Sequence, residues 1–209
     1  MTTSIANADE KFAVSLGALS EGRMMICGLA PRHLGHAVKI AVRFAGQRRQ
    51  FSRPGEKEEL HIIEYPLHQQ RLFPYLASTF AMYSCTEFLF DIWAEIKKDI
   101  FNPKNKFLAE GHAIYSALKA VMSWRTMAGI QECREACGGL GYSQYAKLGI
   151  IRQNWDVQQT WEGDNNVLLQ QTAKYLVDQM KAKFSGKELN TLTCQWIATD
   201  TAEDDAAIF

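Results

Sequence analysis

The sequence predicts an all-α chain folded as an antiparallel four-helix bundle. Three observations predict this. Apolar residues recur at helical spacing over long segments. Strand signals are nearly absent. The joins between the long segments are short, which sets consecutive helices side by side and antiparallel.

The first helix is predicted over 18–50, where Met25, Leu29, Val38, Ile40, Ala41, Val42, Phe44 and Ala45 make a broad apolar stripe. Pro31 lies inside it and predicts a kink or a late start. Lys39, Arg48 and Arg49 gather towards its C-terminal end, where the helix dipole favours positive charge. Residues 52–63 read as a polar connector with a turn at Pro54-Gly55. The second helix is predicted over 66–100. Pro66 suits a first-turn position, because its missing N–H has no helical partner there. Leu72, Phe73, Leu76, Phe80, Tyr83, Phe88, Leu89, Ile92 and Trp93 supply its buried face, and Pro74 predicts a second kink.

Asn102-Pro103-Lys104-Asn105 breaks the pattern. A third helix follows over 107–137 and stops at Gly138-Gly139, since glycine ends helices. Residues 140–163 read as irregular and hold Tyr142, Tyr145, Trp155 and Trp161. A fourth helix starts near Asp164, which can cap it, with Val167, Leu168, Ala173, Leu176, Val177 and Met180 on its apolar side. The chain thus divides into an N-terminal extension (1–17), a helical bundle (18–184) and a tail (185–209), loose or docked outside the bundle.

Composition narrows the function. The 23 basic and 23 acidic residues cancel, and a nucleic-acid binder normally carries a clustered basic excess. The 5 cysteines, Cys27, Cys85, Cys133, Cys137 and Cys194, are odd in number and widely spaced. Their spacing is not that of a metal site, and five reduced thiols of an intracellular protein are expected. Acidic residues stand where a secretory signal would be apolar. No apolar run reaches the ~20 residues of a membrane span. The last residues do not form a Ser-Lys-Leu type peroxisomal address.

Three segments carry candidate chemistry. In Gln159-Thr160-Trp161-Glu162-Gly163-Asp164-Asn165-Asn166 a carboxylate sits beside a glycine just ahead of a helix. Trp161 offers an apolar wall, and burial moves a carboxylate towards the range useful for taking a proton. The same spacing fits an ordinary first-turn acid placed by the helix dipole. Gly138-Gly139-Leu140-Gly141-Tyr142 bares backbone N–H groups for a phosphate or an aromatic ring; it fits a glycine helix stop equally well. It is not a dinucleotide fingerprint, since no strand precedes it. Arg43 to Phe51 sets guanidiniums beside an aromatic, a pattern suited to a diphosphate and an adenine, or to a solvated helix end.

The order of these segments is more specific than any one of them. Leu19-Ser20-Glu21-Gly22-Arg23, Arg48-Arg49-Gln50-Phe51, Gly138-Gly139-Leu140-Gly141-Tyr142 and Trp161-Glu162-Gly163-Asp164-Asn165 together resemble the C-terminal helical part of the acyl-CoA dehydrogenase and oxidase superfamily, over about residues 18–182. Glu162-Gly163-Asp164-Asn165 resembles the oxidase form, where dehydrogenases usually carry Glu-Gly-Thr. Glu64-Tyr65-Pro66 with Arg71 to Ala77 resembles the pristanoyl-type peroxisomal acyl-CoA oxidases.

The resemblance implies a function. Glu162 would be the base that takes the proton α to a fatty acyl-CoA thioester, with FAD as cofactor, O2 as electron acceptor, and trans-2-enoyl-CoA and hydrogen peroxide as products. It implies FAD contacts at Arg48, Gln50, Phe51, Gly138, Gly139, Asp164 and Asn166, and substrate contacts at Arg23, Trp161 and Gly163. No metal is implied. It also implies a homodimer and a peroxisomal location. Ser52, Glu135 and Pro66 depart from residues common in relatives: a glycine, a glutamine and an adenine-holding glutamine. Family members carry further domains, so the chain reads as a segment expected to fold alone yet bind FAD poorly. Two other readings stand beside this one: a dehydrogenase that passes electrons to a flavoprotein, and a non-catalytic helical dimerisation module.

Overall fold

The computed structural model describes residues 8–100, 102, 105, 107–189 and 191–199. The architecture is all-α apart from one small hairpin. Helix α1 (Ala8–Gln47) leads into strands β1 (Arg49–Ser52) and β2 (Glu59–His61), and then into α2 (Pro66–Lys97) and α3 (Phe107–Ala136). Two short helices follow, α4 (Gly139–Tyr142) and α5 (Leu148–Asp156). The long α6 (Asn165–Phe184) and the short α7 (Gln195–Thr199) complete the described chain.

The four long helices are α1, α2, α3 and α6, as the periodicity predicts. Helix α3 is central and packs against α1, α2, α5 and α6. Cys27, Leu34 and Val38 of α1, Leu72, Leu89 and Ile96 of α2, and Tyr115 and Ile130 of α3 meet in one buried cluster. Each aliphatic side chain fully removed from water there contributes about 1.5–3 kcal/mol.

The two prolines do not end their helices. Both α1 and α2 run through, past Pro31 and Pro74 respectively. Pro31 has no N–H to give the Cys27 carbonyl four residues back. The Thr86 hydroxyl of α2 lies 3.4 Å from that oxygen, but its shorter hydrogen bond, at 2.8 Å, goes to the Met82 carbonyl of its own helix. Helix α1 also begins at Ala8, well before position 18. Asp9 and Glu10 interrupt the apolar stripe there but suit a first helical turn.

The connector expected over 52–63 forms a two-stranded antiparallel hairpin. Arg49 pairs with His61 and Ser52 with Glu59, so β1 carries one more residue than β2 between the pairs. That is a bulge. Phe51 within it has φ 57° and is 69 % exposed. The hairpin is polar and mostly exposed, and its sequence has no alternation to announce it.

The stretch 140–163 is more ordered than its sequence suggests. Leu148, Ile151 and Trp155 share one face of α5, at spacings of three and four residues. Trp155 is fully buried, donates Nε1–H to the Ser123 carbonyl at 3.0 Å and lies 4.9 Å from the His33 ring. The described part of the tail is docked: the buried Glu110 of α3 accepts from the backbone N–H of Leu192 at 2.8 Å and of Thr193 at 2.7 Å. Positions 1–7 and 200–209 of the expected extension and tail lie outside the described residues. All five cysteines are free, and burial pushes the Cys27 and Cys133 thiols up to about 12.

The buried face of α3 carries a polar stripe at helical spacing: Ser116, Lys119, Ser123 and Thr126, with half-buried His112 one turn earlier. Burial pushes the Lys119 ammonium down to about 8. The charge of Arg23 adds to the push, and Asp164, Cys27 and Glu162 oppose it.

Two predictions follow from this packing. At Gly129 of α3 side chains from both α1 and α2 lie against the bare backbone. A Cβ there would overlap Leu34 Cδ1 and lie 2.7 Å from Tyr75 Cδ1. Gly129→Ala gains up to about 1 kcal/mol of helix propensity but loses about 1–3 kcal/mol by overpacking. The expected result is a lower chemical-denaturation midpoint. For Lys119, the folded state gives up its proton near pH 8, whereas the unfolded chain keeps it to about 10.4. In that window the unfolded state binds more protons, so stability rises with pH. The stability of wild type relative to Lys119→Met is therefore expected to grow between about pH 7.5 and about pH 9.5. A flat difference would contradict the burial of this cation.

Candidate active site

Glu162 lies in the tight turn between α5 and α6. Its φ is 56° and that of Gly163 is 112°, so two consecutive residues are left-handed. The second conformation needs glycine, and a Cβ at Gly163 would also press on Leu168 Cδ2 at 2.8 Å. Asp164 then caps α6, its Oδ1 accepting from the backbone N–H of Asn166 at 2.9 Å and of Val167 at 3.2 Å.

The turn is held at two successive carbonyls by two buried cations. Arg23 of α1 is 6 % exposed and donates Nε–H to the Glu162 carbonyl at 2.9 Å. Lys119 of α3 is fully buried and donates from Nζ to the Gly163 carbonyl at 2.7 Å and to Asn165 Oδ1 at 2.9 Å. Asn165 in turn donates Nδ2–H to Ser123 Oγ at 2.9 Å. The other end of the Arg23 guanidinium reaches His112 Nδ1 at 3.1 Å and Ser116 Oγ at 3.4 Å. Burial pushes the His112 imidazole down, and the charge of Arg23 adds to this. Neutral His112 therefore accepts at Nδ1 and carries its proton on Nε2. Burial also lowers the Arg23 guanidinium, while Glu162 raises it.

The Glu162 carboxyl lies on the bare backbone of Gly22 in α1. A Cβ at Gly22 would stand 2.6 Å from the carboxyl Cδ and Oε1. Glu162 Oε2 is buried without a hydrogen-bond partner, and the Glu162 backbone N–H makes no hydrogen bond among the described residues. The site thus offers, from one residue, a carboxyl oxygen and an amide N–H that have no protein partner among the described residues. Such a pair can take a proton from a C–H acid and stabilise the oxyanion that forms.

The sequence-predicted residues fall into two groups. Glu162, Gly163, Arg23 and Trp161 gather at the turn. Trp161 is 52 % exposed and its Nε1–H is donated to Gln158 Oε1 at 2.7 Å. Asp164 is spent on the α6 cap, and Asn166 stands exposed just after it. The second group lies at the hairpin. Gln50, Phe51 and Gly138 line a cleft of about 380 Å³ together with Tyr65, His68 and Arg71. Tyr65 donates its hydroxyl to the Gln50 carbonyl at 2.7 Å, which fixes the bulge. Arg48 Nη2 donates to Gln50 Oε1 at 3.0 Å, and Gly139 is exposed next to Gly138. No residue of the Glu162 group lines this cleft.

Sequence reasoning missed Lys119, His112 and Asn165. The signal was the polar stripe on an otherwise apolar helix face of α3, which periodicity alone could have flagged. It also missed Tyr65, His68 and Arg71. Arg71 is paired with Glu132 and lies 4.0 Å from Glu135, so its charge is largely balanced within the fold. His68 Nε2 is buried and without a partner, and burial and Arg71 both push the His68 imidazole down.

Residues 16–177 match the model of the acyl-CoA oxidase C-alpha1 domain. Human peroxisomal acyl-coenzyme A oxidase 3 is 46 % identical over 173 residues, covering 80 % of this chain and 25 % of that protein. The crystal structure of acyl-CoA oxidase 1 from Yarrowia lipolytica superposes with a TM-score of 0.82 at 34 % identity, covering 90 % of this chain and 29 % of the other. Acyl-CoA oxidase-2 of Caenorhabditis elegans, bound with FAD, ascaroside-CoA and ATP, gives a TM-score of 0.78 at 30 % identity, over 82 % of this chain and 26 % of that one. The chain spans about a quarter of the length of the curated relatives it matches. With the order of the long helices and the family match over residues 16–177 in agreement, this chain belongs to the acyl-CoA oxidase family.

Proposed function

We propose that this chain is the helical catalytic segment of a FAD-dependent acyl-CoA oxidase, and that Glu162 is its base. The observation that carries this is the Glu162 carboxyl on bare Gly22, with Oε2 buried and unpartnered. A carboxyl packed on bare backbone with one oxygen free of hydrogen bonds keeps that oxygen for a proton.

The α proton of the thioester passes to a Glu162 carboxyl oxygen. Negative charge then develops on the thioester oxygen, where the Glu162 amide N–H can donate. Trp161 and Gly163 flank the thioester end. Arg23 sits beneath the acyl-CoA and acts on it through the turn it holds, since its guanidinium is buried and already engaged. FAD, when bound, would supply the acceptor for the β hydrogen and the route of the electrons to O2, the products being trans-2-enoyl-CoA and hydrogen peroxide.

The second group of residues suits the adenine and diphosphate side of FAD. The exposed ring of Phe51, the bare backbone of Gly138 and the unpartnered His68 Nε2 face or border one cleft. Gln50, Arg48 and Gly139 lie around it, and Asp164 and Asn166 supply contacts from the start of α6. The hairpin cleft shares no residue with the glutamate turn, which supports a homodimer in which each FAD is bounded by two subunits. The substrate class is a long-chain or branched fatty acyl-CoA, a reading that rests on the Glu64 to Ala77 resemblance, and the location is peroxisomal, which likeness to a human peroxisomal acyl-CoA oxidase supports. The activity belongs to the intact protein that contains this segment.

The test is Glu162→Gln in that intact protein, following peroxide release from a long-chain acyl-CoA in the presence of FAD. Turnover is expected to fall at least ~10²-fold, with the flavin absorbance of the purified protein unchanged. Near-normal peroxide release would place the base elsewhere.

A further inference from the structure

Lys119 is the most deeply buried charged group near the site, and the reaction as described gives it no part. We propose that Lys119 is a positioning residue that sets the backbone of the catalytic turn and so places Glu162 for proton abstraction. The proposal rests on Glu162 being the base.

The geometry carries it. Glu162 and Gly163 adopt φ values of 56° and 112° in succession. An L-residue in that region persists only where its surroundings over-determine it. Two side chains do so here. Arg23 holds the carbonyl of Glu162, and Lys119 holds the carbonyl of Gly163 at 2.7 Å. The second grip is the more extensive. Nζ of Lys119 also donates to Asn165 Oδ1 at 2.9 Å, and Asn165 donates to Ser123 Oγ at 2.9 Å and the Ala120 carbonyl at 3.4 Å. The turn is thereby fastened along a full turn of α3, from Lys119 to Ser123. Removing Lys119 releases the Gly163 carbonyl and Asn165 Oδ1 together.

The chemistry of the side chain points the same way. A buried ammonium whose hydrogen-bond acceptors are both neutral is costly to keep. Ordinary packing would favour an apolar residue at this position. The charged and titratable groups acting on it are Arg23 and Cys27 from α1 and Glu162 and Asp164 from the turn. Burial lowers the ammonium to about 8, yet a neutral amine still has two N–H groups for the same two acceptors. The grip is therefore expected to survive deprotonation.

The test isolates the proton step in the intact, FAD-loaded protein. The probe is a 3-thia-acyl-CoA, in which sulfur replaces the β carbon. No hydride can leave, but the α hydrogens can still exchange with solvent. Exchange in D2O is followed by NMR, beside FAD content and affinity for the probe. In Lys119→Met the exchange rate is expected to fall at least ~10-fold, since a misplacement of about 1 Å can cost up to 10²-fold. FAD content and probe affinity are expected to stay within about two-fold, because neither ligand touches Lys119. Exchange at the wild-type rate per bound FAD overturns the proposal and leaves Lys119 a packing residue. If Lys119→Met does not fold, Lys119→Gln carries the same test. Its shorter side chain cannot reach both acceptors, so slower exchange supports the proposal and wild-type exchange overturns it. Glu162→Gln is the control for the underlying reading. Exchange that persists there overturns Glu162 as the base, an outcome distinct from any result at position 119.

Discussion

The candidate site depends on one arrangement, two buried cations that grip successive carbonyls of a left-handed turn. Arg23 comes from α1 and Lys119 from α3, so the turn is suspended between two helices that pack against each other. The geometry of Glu162 is thus inherited from the α1–α3 contact. That contact is set by small residues and tight apolar packing around Leu34 and Gly129. The central helix serves both tasks, burying an apolar face in the core and presenting a polar stripe to the turn.

The hairpin end of the molecule is built on a different principle. The glutamate turn is sunk between helices, whereas the bulge at Phe51 pushes an aromatic ring outward on a strained backbone. Strain and exposure in one residue are expensive for a free surface and sensible for a contact surface. The cleft beside it keeps its charges balanced internally, through Arg71 with Glu132 and Glu135. A ligand there would meet an aromatic face, amides and bare backbone more than net charge.

The long helices were legible because their apolar residues repeat at helical spacing and their ends carry Pro66, Gly138 and Asp164. The prolines stand inside continuous helices, and only the late start offered for Pro31 is overturned, because α1 already runs from Ala8. Helix α5 was hidden by its length, and the hairpin by its polarity. At the site, the chain order of the motifs picked out Glu162 and its glycine. The grip on the turn was not legible as a grip. It joins residues 23, 119 and 163, and only the fold makes them neighbours. Lys119 was the detectable part, as a cation on a face that should be apolar.

The glycine under the carboxyl has a further consequence. Gly22 weakens the middle of a long helix, where alanine would be worth about 1 kcal/mol more. It is retained at the one place where the missing methyl is filled by Glu162. Helix propensity and the seating of Glu162 therefore pull in opposite directions at this position. Any effort to make the protein more heat-resistant by the usual filling-in of helical glycines would gain helix propensity here by evicting the Glu162 carboxyl from its seat.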